Sequence, residues 1–192
     1  MRTLMTLSRP VVVVAICAVP IFTGTMLAAP PALAADATTG TIAMSGSVAG
    51  RCLFTTPQQS IALGELAQSG ASATAGKLDP TKVNGQTASM VGWCNNVGSS
   101  MVVTTTELTN TTTAPSAAFD NRISYTATAT ANGISASDSS VSVGAGAASA
   151  VNVFAGSIGV TLSGAATPNN GVLVAGSYVG NVTVTLSPKV VL

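Results

Sequence analysis

The sequence contains no histidine, and charged side chains make up only 7% of its 192 residues, against roughly 25% in ordinary soluble domains. Without an imidazole there is no His general base, no Ser/His/Asp or Cys/His nucleophile pair and no His metal ligand. These are the commonest routes to chemistry near neutral pH. Seven Lys and Arg against six Asp and Glu give a net charge of +1, which is no electrostatic footprint for nucleic acid. The acids Glu65, Glu107 and Asp138 stand apart in the chain, so no carboxylate pair for glycoside chemistry is visible. The chain is therefore read as a non-enzyme, with no catalytic residue, metal ligand or cofactor assigned. Disorder is not expected either. It requires low hydrophobicity with high charge, whereas 47% of the residues are hydrophobic.

Part of that hydrophobicity lies at the N-terminus, where Arg2 and Arg9 precede an apolar run from Val11 to Val19 and Ala32-Leu33-Ala34 ends the segment. Basic residues, a short apolar core and small residues at the cleavage positions predict a signal peptide over residues 1–34. Pro10 and Pro20 bracket the run, leaving it short of the ~20 residues that cross a bilayer. Cys17 does not read as a lipoprotein site, because Ile16 before it is bulky where a small residue is needed. The remaining cations (Arg51, Lys77, Lys82, Arg122, Lys189) and anions (Asp36, Glu65, Asp79, Glu107, Asp120, Asp138) nearly balance. A mature chain of this length is one domain, large enough to bury a core. Its two cysteines, Cys52 and Cys94, are in an oxidising compartment most simply one disulfide, worth about 4 kcal/mol on the chain-entropy model. Free thiols are the alternative, and a metal site lacks further ligands.

No segment after residue 34 sustains helical apolar spacing, whereas period-2 alternation recurs throughout. Candidate strands are Thr41–Val48, Met90–Cys94, Met101–Thr104, Ile123–Ala127, Val151–Phe154, Ile158–Leu162 and Tyr178–Leu186. In the last, Tyr178, Val182, Val184 and Leu186 share one face. Between them stand Thr56-Pro57, Asp79-Pro80, Asn84-Gly85, Asn132-Gly133 and Pro168-Asn169-Asn170-Gly171, which are turn signals. Thr109–Ala118 reads as a surface loop, and Leu66–Gly76 allows a short helical turn. The pattern predicts an all-β sandwich or barrel. Asp120 and Arg122, two apart, predict a surface ion pair. Trp93 beside Cys94 is similar to the Trp-on-disulfide packing of many sandwiches; because alternation turns adjacent side chains to opposite faces, the other reading places Trp93 on the outer surface. Asn110-Thr111-Thr112 and Asn181-Val182-Thr183 match the glycosylation pattern, which is short enough to occur by chance.

The segment Gly40-Thr41-Ile42-Ala43-Met44-Ser45-Gly46-Ser47-Val48-Ala49-Gly50-Arg51-Cys52 resembles the N-terminus of chaperone-usher pilins, subunits of bacterial fimbriae. In these a signal peptide is followed by an alternating extension, a Gly and the first cysteine. Ile61-Ala62-Leu63-Gly64, the position of Cys94 and the stretch Ala175–Leu186 are similar to the family's later segments, the spore-coat-U-like branch included. Two departures stand out. The chain runs on through Pro188-Lys189-Val190-Val191-Leu192 where pilins commonly end with an aromatic residue next to last, and the central region carries no family motif.

The resemblance implies an Ig-like β-sandwich lacking its last strand. Residues 35–50 would be the extension and 51–192 the pilin-like domain. Gly40, Ile42, Met44, Gly46 and Val48 would form a donor strand, inserting into a neighbour's groove by β-augmentation. Tyr178, Gly180, Val182, Val184 and Leu186 would form the strand that lines the groove and pairs with a chaperone. Implied partners are neighbouring subunits, a periplasmic chaperone and an outer-membrane usher. Export would lead through the periplasm to a surface fimbria serving adhesion or biofilm formation. Two other readings remain open. The segment Ile42–Val48 is otherwise the first strand of a self-contained sandwich, and the protein a monomeric secreted domain binding a carbohydrate or surface ligand.

Overall fold

The computed structural model describes residues 38–189; the predicted signal peptide over 1–34 and Val190, Val191 and Leu192 lie outside them. The chain divides into two units, Met1–Ser45 and Gly46–Leu192. In the first, residues 38–45 join no β-ladder, and Ile42 and Met44 are exposed.

The second unit is nearly all β. Its strands are β1 (Cys52–Thr56), β2 (Thr87–Cys94), β3 (Ser100–Thr105), β4 (Leu108–Thr109), β5 (Phe119–Asp120) and β6 (Arg122–Ala131). They continue with β7 (Ile134–Ser139), β8 (Ser149–Ala150), β9 (Phe154–Ala166), β10 (Val172–Leu173) and β11 (Val182–Ser187). The larger sheet runs β1-β2-β9-β6-β4, with β7 also on β6; a second runs β11-β3-β8, and β10 pairs with β5 in parallel. No helix among the described residues is long and apolar enough to cross a membrane.

Alternation explains the main strands. In β6, Ile123, Tyr125, Ala127, Ala129 and Ala131 are buried while Ser124, Thr126, Thr128 and Thr130 face outward, as the two-residue period of a half-buried strand requires. Asn132 and Gly133 both have positive φ, 52° and 73°. Two left-handed residues make the tight turn whose twist suits a hairpin, and they join β6 to β7 with Ala131 opposite Ile134. The buried faces of both sheets meet in one cluster. Met101, Val103 and Val184 come from the β3–β11 side, and Ile123, Ala127, Ala129, Ile158 and Val160 from β6 and β9. Cys52 and Cys94, directly opposite on β1 and β2, are joined by a disulfide with S–S 2.06 Å. Trp93 points away from buried Cys94, paired with Leu53 and Ala155 on the outer face.

Several expectations are revised. The alternation in Thr41–Val48 forms no ladder among the described residues, and Val48 is exposed. Tyr178 lies ahead of β11 rather than in it. Val151–Phe154 is not one strand, because Asn152 adopts a positive φ of 58° and the backbone N–H groups of Val151 and Asn152 both go to the Ser99 carbonyl. The only helical turn among the described residues is not within Leu66–Gly76 but at Pro80–Lys82. There Asp79 caps the turn by accepting from the Thr81 N–H, and Pro80 occupies a first-turn position that needs no donor.

Candidate functional site

β11 is an edge strand. All six of its residues pair with β3 on one side, and it ends its sheet on the other. Across one hollow from Val182 and Thr183, at the start of β11, lies the segment 57–63. Its residues form no strand and no backbone-to-backbone hydrogen bond among the described residues. Two adjoining hollows, of about 670 Å³ and about 630 Å³, form a groove and share Ile61, Leu63, Leu108 and Gly180; the first lies between Gly64–Ala67 and Leu173–Gly180, and only the second reaches β11, at Val182 and Thr183. Met90, Tyr125, Val160 and Leu162 line the second hollow, so the groove opens onto the core.

The walls combine two unsatisfied requirements. A free strand edge offers a row of backbone donors and acceptors, and half-buried Ile61, Leu63 and Met90 leave some apolar surface in water above the buried Leu108, Tyr125, Val160 and Leu162. The lining is uncharged apart from Glu65 at the first hollow.

A buried carboxylate holds the loop that leads to the first hollow. Asp120 is 2% exposed and accepts from the Gly171 N–H at 2.7 Å, the Asn169 side-chain amide at 2.9 Å and the Asn169 N–H at 3.2 Å. Burial pushes this carboxyl upward, but hydrogen bonds from the Gly171 backbone, the Asn169 and Thr167 side chains and the Asn169 backbone outweigh it, so the net shift is downward. The loop so held leads into β10, and Leu173–Gly180 line the first hollow. The Tyr178 hydroxyl lies 3.0 Å from both the Asp120 and the Val174 carbonyl oxygens. Burial is the largest influence on this phenol and raises it above its ordinary value, which keeps it a donor. Asn110, buried, donates to the carbonyls of Val174 and Ala175 and accepts from the Thr112 N–H.

These contacts correct one sequence reading and bear on one short motif match. Asp120 makes no surface ion pair with Arg122; the Arg122 guanidinium instead meets Glu107 at 3.4 Å. The Asn110 amide is engaged inside the protein and is no accessible glycosylation site. Asp138, isolated in sequence, is buried and accepts from the backbone and hydroxyl of Thr105 at 2.7 and 2.8 Å.

Of the residues expected to line a groove, Gly180 and Val182 do so, and Tyr178 lines the first hollow. Val184 is buried in the core cluster and Leu186 packs against it. Of the residues expected to donate a strand, Gly40, Ile42, Met44, Gly46 and Val48 belong to a run that is exposed throughout. Sequence reasoning missed Met90, Leu108 and Leu162 as groove residues, because each reads locally as an ordinary core position. Comparison with known proteins gives no match to a family model, a curated protein or a solved structure.

Proposed function

We propose that this protein is a structural subunit that polymerises by strand exchange, the run 40–48 of one copy entering the groove beside β11 of the next. The observation that carries this reading is the pairing of two incomplete features in one chain. A groove walled in part by an unpaired strand edge and by a segment without backbone bonds occurs together with an exposed run alternating Ile42, Met44, Gly46 and Val48. Each satisfies what the other lacks. Main-chain hydrogen bonds would give generic affinity and the alternate side chains specificity. Burying Ile42, Met44 and Val48 is worth about 1.5–3 kcal/mol each before the entropy of ordering the segment. Gly46, without a side chain, suits a shallow point in the groove.

The fold reading that accompanies this is an incomplete Ig-like sandwich. It is supported by two sheets sharing one core and by the Tyr178 hydroxyl reaching back to the Val174 carbonyl, the kind of corner such sandwiches use. An exported subunit with an exposed groove and few charges requires an escort, since such surfaces aggregate. The fitting partners are neighbouring subunits, a periplasmic chaperone and an outer-membrane usher, and the fitting location is a surface fimbria used in attachment or biofilm formation. No catalytic role is proposed. The test is removal of residues 35–48. The shortened chain is expected to keep its thermal unfolding transition and to lose SDS-resistant ladders on unboiled gels. Unchanged ladders would refute the donor assignment.

A further inference from the structure

We propose that Met44 and Met90 form a methionine-oxidation switch on assembly, in which hydroperoxide oxidants disable free subunits and leave assembled ones untouched. This rests on the strand-exchange reading. The described residues contain three methionines, and they occupy three different environments. Met44 is 93% exposed, in the middle of the alternating run. Met90 is half-buried in the groove beside Val160 and Leu162. Met101 is 0% exposed, inside the core. Two of the three thioethers therefore sit on the two surfaces that are open only before a strand is exchanged, and the third serves as an internal reference.

The chemistry needs only a hydroperoxide. The thioether sulfur attacks the terminal oxygen, the O–O bond breaks and an S–O bond forms. Sulfur gives up two electrons, and with hydrogen peroxide the reduced product that leaves is water. The product, a sulfoxide, is polar where the thioether was apolar and adaptable. On Met44 it places a polar group in the stripe between Ile42 and Val48; on Met90 it places one in the apolar floor. A leucine at either position would supply similar bulk without this sensitivity. Once a strand fills the groove, both sulfurs are enclosed and the reaction is closed off, so sensitivity belongs to the unassembled subunit alone.

The experiment exposes soluble wild-type subunits to dilute hydrogen peroxide, maps added oxygen by peptide mass spectrometry, and then follows SDS-resistant ladders. Oxygen is expected at Met44 first, at Met90 next and not at Met101. Ladder formation by the oxidised subunits is expected to fall about ten-fold or more, the factor carried by loss of one buried apolar side chain. Ladders formed beforehand are expected to resist oxidation at Met44 and Met90. The doubly substituted Met44→Leu, Met90→Leu chain should form ladders equally with and without peroxide. Met44→Leu alone lies on an exposed run, away from any folding risk, and should recover part of that resistance. The inference is overturned if oxidised wild-type subunits assemble at the untreated rate, if the double variant loses ladders to peroxide as wild type does, or if assembled Met44 oxidises as fast as free Met44. Absence of ladders from untreated wild type would overturn strand exchange itself, and the switch with it.

Discussion

Replacing Asp120 with alanine removes the acceptor for three N–H donors, from Gly171, the Asn169 backbone and the Asn169 side chain. Gly171 is buried and Asn169 is exposed. The Gly171 donor is therefore stranded, at about 1–3 kcal/mol, while the Asn169 donors turn to water at about 0.5–1 kcal/mol each. The expected loss is about 3 kcal/mol, which for a chain of this size lowers Tm by about 10 °C. The damage should be local. Val172 and Val174 donate their N–H groups to the carbonyls of Ala118 and Asp120, so hydrogen exchange should accelerate there while the β3–β11 ladder keeps its protection. The pH dependence has a defined sign. The folded-state pKa of Asp120 is depressed, so its contribution is present above the unfolded value and lost as pH falls through the folded one. The Tm gap between wild type and Asp120→Ala is therefore expected to narrow in acid. A loss under about 1 kcal/mol, a gap that widens in acid, or exchange that rises evenly across both sheets would refute the reasoning.

Two further expectations bear on the same architecture. Arg122 is 54% exposed where it meets Glu107, so Arg122→Ala should change stability by less than about 0.5–1 kcal/mol in urea unfolding. A larger change would mean this pair is more than a surface contact. Reducing the Cys52–Cys94 disulfide should lower stability by about 4 kcal/mol, read as a lower urea midpoint with and without a thiol reductant; an unchanged midpoint would show that pairing of β1 with β2 does not depend on it.

Much of the fold is written in local alternation. Ile123–Ala127, Met101–Thr104 and Ile158–Leu162 lie inside β6, β3 and β9, and Asn132-Gly133 announces its hairpin. What failed was whatever depends on distant partners. Asp120 and Arg122 were expected to share a face, but Asn121 separates β5 from β6 and Asp120 turns into a loop 49 positions away. The full thirteen residues of β9 were obscured by its glycines, Gly156, Gly159 and Gly164, which interrupt the alternation. The groove was least legible. A strand edge is free because of what does not pair with it, and no local sequence pattern encodes that absence. The alternation of Ile42 to Val48 fits a strand in this chain and a strand given to another equally well.

The most direct measurement is binding of a synthetic peptide of residues 39–49 to the chain that begins at residue 49, followed by NMR. Strand exchange predicts saturable binding, with shifts concentrated at Met90, Leu162, Gly180 and Val182 and new amide protection along the free edge of β11. A peptide with Ile42 and Met44 both replaced by Asp should produce neither. Absence of binding, or shifts centred on the outer face around Trp93 instead, would contradict the account.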